Sequence, residues 1–175
     1  RNDGKRLRRS VYIEVPRKSG KSTLCSVLSL YHLMADGESS AEVYSAATSR
    51  DQARIVFGDA QAMARASAHL SVHLNVQRNC IAYTKANSKF EPLSADAGSL
   101  EGRSPSFAVV DELHVHKTPE VYDVLNVASG ARSQPLLFVI STSGVNREGV
   151  CYQVRDYALK ILQNRVDDDT FFSMI

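Results

Sequence analysis

"VYIEVPRKSGKSTLCSVL", Val11 to Leu28, carries an apolar run into Gly20-Lys21-Ser22 and on into a segment with helical spacing. Strand, loop and helix in that order are what a phosphate-cradling loop needs. Backbone N–H groups and a helix N-terminus there converge on an anion, and the lysine adds charge. The full pattern GxxxxGK[ST] would put its first glycine where Val15 stands, followed by Pro16 and Arg17. A GK[ST] tripeptide arises by chance in about one chain in ten of this length, given average residue usage. An ordinary basic loop before a helix would carry the same letters, so the rest of the chain has to decide.

Upstream of the loop, "SVYIEV" (Ser10 to Val15) is a short β-branched and aromatic run stopped by Pro16, hence a strand. From Lys21 to Met34, Leu24, Val27, Leu28, Tyr31 and Met34 recur at three- and four-residue spacing, which predicts a helix with these residues on its apolar face. After the turn "DGESS", residues Ala41 to Ala47 read as a second strand. "TSRDQARIVFGDAQAMARAS" reads as a second helix capped by Thr48 or Ser49, with Ile55, Val56, Ala60 and Met63 inward. Strand, helix, strand, helix opens an α/β sheet.

"SVHLNV", "CIAYT" and "KFEPLSAD" follow as short segments between polar turns, and predict a small antiparallel insertion near residues 71 to 94. "SFAVVDE" (Ser106 to Glu112) is the continuous apolar run of a buried parallel strand, ending in two carboxylates. A helix is expected from about Pro119 with Thr118 as its cap, then a buried strand in "PLLFVISTSG". A last amphipathic helix in "EGVCYQVRDYALKILQN" precedes a further strand in "DDDTFFSMI". The fold expected is a single α/β domain over residues 1–175, a P-loop NTPase of the ASCE type. Its three layers hold a mainly parallel central sheet with the antiparallel insertion.

A chain of 175 residues is long enough for such a core, since a domain of that size buries about 70% of its unfolded surface. No apolar run approaches the roughly 18 to 20 residues of a membrane span. Three widely spaced cysteines, Cys25, Cys80 and Cys151, argue against a disulfide framework and fit a reducing cytosol. Cys25, on the helix behind the loop, reads as core. The chain opens on Arg1, which suggests part of a longer protein. The net charge of +2 does not by itself indicate nucleic acid, although "GKRLRRS" gathers Lys5, Arg6, Arg8 and Arg9 before the first strand. That run suits a solvated arm or a phosphate-backbone contact.

Three elements carry the chemistry. In the loop, Lys21 would reach the β- and γ-phosphates of a nucleotide and Ser22 would ligate Mg²⁺. At the tip of the strand ending in "VVDE", Asp111 fits the Walker-B carboxylate that holds Mg²⁺, directly or through water. Glu112 beside it is placed to orient and deprotonate an attacking water. Adjacent carboxylates repel unless a cation sits nearby. "ISTSG" then ends a further buried strand in Ser141, Thr142 and Ser143, hydroxyls able to bond a γ-phosphate or the lytic water. Its tip should reach the same edge of the sheet, because ligands bind outside the carboxyl ends of parallel strands. His114 and His116 have HxH spacing without a further ligand pair, and read as polar residues at a helix entry. Gln52 reads as a solvated helix residue.

"VPRKSGKS", "FAVVDELHVHK" and "ISTSG", in this order, together with "TSRDQARIVFGDA", resemble the ATPase region of the large terminase subunit of tailed bacteriophages. The resemblance spans almost the whole chain. It implies a Mg²⁺-dependent ATPase that powers translocation of double-stranded DNA into procapsids. The partners implied are the portal protein and the small terminase subunit, with a homo-oligomeric ring during packaging in the cytoplasm of the infected host. Terminase loops commonly keep only the GK[ST] end, with an arginine three residues before that glycine. On that basis Arg17, Lys18, Ser19, Gly20, Lys21, Ser22 and Thr23 bind ATP, and Ser22 and Asp111 hold the metal. Glu112 is the catalytic glutamate, and Ser141, Thr142, Ser143 and Gly144 form the coupling motif.

Many relatives also place an arginine just before the glycine of the loop preceding the Walker-B strand, acting on a neighbouring subunit's nucleotide. This chain has Glu101-Gly102-Arg103, so Arg103 would substitute from two positions on. The nuclease domain of full-length relatives has no counterpart here: Asp167 to Asp169 read as a solvated turn, and no DNA cleavage is expected. Two other functions suit the same motifs. A helicase-like P-loop ATPase shares both Walker elements, and a non-hydrolysing nucleotide-binding module needs no Glu112.

Overall fold

The computed structural model describes residues 4–94, 102–144 and 148–175. Its eight strands are β1 (Ser10–Glu14), β2 (Glu42–Ala47), β3 (Leu74–Val76), β4 (Ile81–Tyr83), β5 (Ser88–Ser94), β6 (Phe107–Asp111), β7 (Leu136–Ser141) and β8 (Phe171–Met174). They form one sheet in the order β3-β4-β5-β2-β6-β7-β1-β8. The α-helices are α1 (Lys21–Met34), α2 (Arg50–Ala66), the single turn α3 (Ala68–Ser71), α4 (Glu120–Ala128) and α5 (Val150–Leu162).

Side-chain alternation along the central strands builds the two cores. In β6, Phe107 and Val109 face one side with Cys25, Leu33, Val56 and Phe57 of α1 and α2. Ala108 and Val110 face the other side, with Val121 and Leu125 of α4 and Val154 and Ala158 of α5. In β7, Phe138 and Ile140 join the first core, and Leu137 and Val139 the second. Helix layer, sheet and helix layer are the expected sandwich.

The antiparallel part is smaller than expected. β5 runs parallel to β2, with Glu42 opposite Lys89 and Ala47 opposite Ser94, so it belongs to the main sheet. Among the described residues the antiparallel pairings are β4 with β5 and β3 with β4, so β4 alone points against the rest of the sheet. Alternation by itself does not fix strand direction. The end of the "KFEPLSAD" segment, Ala95 and Asp96, lies outside the described residues.

Two helix faces also differ from expectation. Leu24, Val27 and Tyr31 of α1 are about half exposed, and the buried residues are Lys21, Cys25, Ser26, Ser29, Leu30, His32 and Leu33. Burying the row through Lys21, Cys25 and Ser29 aims the lysine along the sheet. The small Ser26 lets α1 approach α2, its hydroxyl lying 2.7 Å from both the Ser22 and Val56 carbonyl oxygens with one proton to donate to either. Ile55 is exposed, while its neighbours Val56 and Ala60 are fully buried. Ser49 caps α2, accepting from the Gln52 N–H at 3.2 Å, and Thr48 donates to the exposed Gln52 side chain. Thr118 is not a cap: α4 begins after Pro119 with no side-chain cap bond, because proline's fixed φ starts the turn unaided.

The basic N-terminal run is partly structural. Arg6 pairs with Asp36 and donates to the Gln134 carbonyl at 2.9 Å, and Arg8 donates to the Phe171 carbonyl at 3.0 Å. Cys25 is fully buried, as core. Asp168 accepts from the Tyr157 hydroxyl and from Thr170, closing the turn into β8.

Candidate nucleotide site

The loop between β1 and α1 spans six residues, 15–20. Gly20 is its hinge, with φ of 77° directly before the helix, a left-handed conformation costly for any residue with a Cβ. Lys18 also has positive φ, 65°. Ser19 Oγ donates to the Pro16 carbonyl at 2.8 Å, closing the loop on itself. Val15, in the place of the missing first glycine, packs against the core, and its N–H donates to the Ser141 carbonyl at 3.0 Å. The residue thus continues the strand pairing one step past β1. Flexibility is needed only at the glycine end.

β7 lies between β1 and β6, so its tip stands between the loop and the acidic pair. Ile140 pairs with Ile13 on one side and Asp111 on the other. The Glu112 N–H then donates to the Ile140 carbonyl at 2.9 Å. Glu112 itself has φ of 51° and ψ of 50°, a left-handed turn that bends the chain out of β6 into the turn at Leu113–Val115. Such a conformation is disfavoured in a residue carrying a side chain, and strain of this kind gathers at functional positions.

That bend brings Glu112 to Lys21. Nζ of the lysine, 9% exposed, lies 3.1 Å from Glu112 Oε1. Oε2 faces the other way, 3.1 Å from His114 Nδ1 and 3.4 Å from the Thr142 hydroxyl. Asp111 Oδ1, one residue back, is buried without a hydrogen-bond partner. Burial first, and the Glu112 charge second, push the Asp111 carboxyl up to about 6, with Lys21 opposing. A buried carboxylate oxygen lacking a donor is suited to a hard cation that accepts oxygen ligands. The Ser22 hydroxyl, in the first turn of α1, has no hydrogen-bond partner among the described residues. Asp111 and Ser22 therefore fit a Mg²⁺ ion by their chemistry.

At the β7 tip, Ser141 and Thr142 are buried, and Ser143 and Gly144 are exposed. Ser141 Oγ accepts from the His114 N–H at 3.2 Å and lies 3.0 Å from His114 Nδ1. Ser143 Oγ donates to Glu14 Oε1 at 2.6 Å, and the other Glu14 oxygen accepts from Arg155 Nε at 2.8 Å. Together these bonds outweigh burial and hold the Glu14 carboxyl below its ordinary range. Between the two loops lies an open cleft of about 540 Å³, lined by Glu14, Val15, Pro16, Arg17, Thr142, Ser143 and Ile175. Arg17 is exposed there and makes no ion pair or hydrogen bond among the described residues.

The residues singled out from sequence thus fall into two groups. Arg17 to Thr23, Asp111, Glu112 and Ser141 to Gly144 are brought to one edge of the sheet. Arg103 is not. It precedes the amino end of β6 and lies over the Tyr44 ring, 5.4 Å from its centroid, with Nη1 3.0 Å from a Glu91 oxygen. Glu101 lies outside the described residues. By sequence His114 reads as polarity at a helix entry, yet it touches both Glu112 and the β7 tip. Only the left-handed bend at Glu112 turns it back, and no sequence pattern announces that bend. His116 is buried with Nε2 unpartnered, and no metal-binding cluster of His, Cys, Asp and Glu occurs among the described residues.

Comparison with known proteins agrees with this geometry. Residues 1–160 match the sequence model of the terminase large subunit, ATPase domain. The terminase large subunit of Enterobacteria phage HK97 is 32% identical over 139 residues, 77% of this chain and 28% of that protein. Protein YmfN of Escherichia coli K12 is 43% identical over 75 residues, 43% of this chain and 16% of that protein. The chain thus spans less than a third of the length of either curated relative. The crystal structure of the HK97 large terminase superposes with a TM-score of 0.84 at 25% identity, covering 96% of this chain and 35% of that one. The large terminase of a thermophilic bacteriophage in complex with ATP-γ-S shares the fold, with a TM-score of 0.65 at 10% identity over 95% of this chain and 39% of that one. With the P-loop, the acidic strand tip and the hydroxyl-rich tip between them all at one sheet edge, this chain belongs to the terminase large subunit ATPase domain family.

Proposed function

We propose that this domain binds ATP at the carboxyl edge of its sheet and hydrolyses it to drive double-stranded DNA into a viral procapsid. The observation that carries the reading is the meeting of Lys21, Asp111 and Glu112 at the strand tips, with the Ser141–Gly144 loop between them. The triphosphate analogue bound by the thermophilic phage's terminase supports ATP as the nucleotide.

In this reading the N–H groups of residues 18–23 and the N-terminus of α1 receive the phosphates, and Lys21 exchanges Glu112 for a phosphate oxygen. Ser22 and Asp111 would hold Mg²⁺, which neutralises phosphate charge when bound. Release from Lys21 leaves Glu112 free to take a proton from a water whose oxygen attacks the γ-phosphorus. The bond to the β-phosphate oxygen breaks, giving ADP and inorganic phosphate. Arg17, unpaired and facing the cleft, is placed to stabilise the developing phosphate charge with a planar fork of donors.

The Ser141–Gly144 loop would carry the loss of the γ-phosphate to the rest of the motor. Such a motor works as a homo-oligomeric ring with the portal protein and small terminase subunit, in the cytoplasm of an infected bacterium. Arg103, tied to Glu91, is a weaker choice than Arg17 for a charge acting at phosphate.

Steady-state ATP hydrolysis, measured with and without double-stranded DNA, tests the reading. Mg²⁺-dependent turnover, sensitive to DNA in a salt-dependent way, is expected. Absence of any nucleotide binding would refute it.

A further inference from the structure

His114 joins the two halves of the site. Its backbone N–H and its ring Nδ1 both reach Ser141 Oγ, at 3.2 and 3.0 Å, and the same Nδ1 lies 3.1 Å from Glu112 Oε2. The direction of these bonds follows from what each atom has to offer. Ser141 donates its own proton to the Thr142 carbonyl, at 3.1 Å, so its Oγ is left to accept. A carboxylate can only accept. With the ring proton on Nδ1, the histidine donates to Ser141 Oγ and presents the same N–H 3.1 Å from Glu112 Oε2.

The ring is also held sterically. A Cβ on Gly144 would lie 2.8 Å from His114 Cβ, closer than any real contact, so the loop backbone rests directly on the histidine. The side chain is 15% exposed and has little room to move independently of that loop. Glu112 is thus bracketed, with Lys21 at Oε1 and His114, with Thr142, at Oε2. When a nucleotide draws Lys21 away, the His114 side is what remains to aim the carboxylate.

We propose that His114 is a positioning residue that fastens Glu112 to the Ser141–Gly144 loop, so that displacement of the loop changes the aim of the carboxylate. The inference rests on the ATPase reading above. It adds a residue which neither touches the nucleotide nor takes part in proton transfer. It also gives the β7 tip a physical route to the catalytic step in addition to any direct contact with phosphate.

The test compares His114→Ala, His114→Asn and His114→Gln with the native chain, using ATP turnover at saturation, affinity for a fluorescent ATP analogue with Mg²⁺, and thermal midpoint. An asparagine amide N–H falls near the position of Nδ1, and a glutamine amide near that of Nε2. Misplacing a catalytic group by about 1 Å can cost roughly 100-fold, so His114→Ala and His114→Gln should lower kcat by about 10- to 100-fold. Nucleotide affinity should stay within about threefold, since the contact acts on the chemical step and not on binding. His114→Asn should recover most of the rate. Native turnover in His114→Ala, or equal loss in the asparagine and glutamine variants, overturns the proposal.

If the alanine variant does not fold, the asparagine and glutamine pair still decides. An imidazole ¹H–¹⁵N spectrum of the nucleotide-free protein gives a readout separate from activity. The Nδ1-protonated tautomer is expected for His114, and the Nε2-protonated form overturns the proposal. Glu112→Gln separates the two failures. Turnover surviving in that variant removes Glu112 as the base and with it the positioning role, and a native chain that neither binds nor hydrolyses ATP removes the ATPase reading itself, whereas a dead Glu112→Gln beside a fully active His114→Ala removes only the role of His114.

Discussion

Lys21 Nζ and Glu112 Oε1, contributed by the first turn of α1 and the residue after β6, lie 3.1 Å apart across the tip of the strand between them. The lysine is nearly buried, so its charge requires a partner, and Glu112 provides one. In the proposed reaction a triphosphate would offer the lysine a competing partner and free the glutamate to act as base.

The two partners should separate cleanly on mutation. Lys21→Ala removes the phosphate contact, and affinity for Mg-ATP should fall by about 30-fold or more, as for loss of one member of a buried charge pair. Glu112→Gln keeps the shape and should keep binding, while hydrolysis falls by roughly 10²- to 10⁴-fold, the contribution of general base catalysis. Equilibrium binding and single-turnover hydrolysis check both. Equal turnover in all three proteins would remove these residues from the site.

Asp111 has a pH signature in the nucleotide-free protein. Its folded pKa, about 6, lies above its ordinary 3.8. Between those values the folded state binds the extra proton, so stability contributed by this group is full below pH 4 and is lost as pH rises through about 6. Asp111→Asn should flatten that part of the stability curve, raise the thermal midpoint at neutral pH, and abolish Mg²⁺-dependent hydrolysis. Thermal melts between pH 4 and 8 provide the check. A steeper fall in the asparagine variant would contradict the assignment.

Gly144 is defined by what touches it. Since a Cβ there would meet His114 Cβ at 2.8 Å, Gly144→Ala must move either the loop or the histidine. kcat should fall by about tenfold or more with nucleotide affinity preserved, because the displacement reaches Glu112 without removing any hydrogen-bonding group. A substitution without kinetic effect would show that the loop yields freely at this point.

Arg17 and Arg103 make opposite predictions. Arg17 is exposed and unpaired, so Arg17→Ala should weaken nucleotide binding or turnover with no change in thermal midpoint. Arg103→Ala loses the Glu91 pair and the Tyr44 ring contact, and should lower the midpoint by about 2 to 4 °C, as expected of a loss near 1 kcal/mol in a domain of this size. Nucleotide affinity of its own chain should be unaltered. Differential scanning alongside nucleotide titration distinguishes the two arginines.

Periodicity and local chemistry determined the strands, the main helices, the three-layer class and the three motifs. These signals are local: a buried strand reads as a continuous apolar run, and a phosphate loop as a glycine and lysine between strand and helix. The sequence could not say that β5 joins the parallel sheet, since the same apolar alternation serves either direction. It also misjudged the buried face of α1. Apolar spacing selected Leu24, Val27 and Tyr31, while packing buried the row of Lys21, Cys25 and Ser29 together with Ser26. The positions of Arg103 and His114 were equally hidden. Arg103, ahead of the amino end of β6, pairs with Glu91 at the edge opposite the strand tips, and one left-handed residue, Glu112, folds His114 back onto Ser141. Residue type and spacing determine which chemistry is possible; chain direction, helix rotation and backbone handedness, all set by tertiary packing, decide which side chains meet.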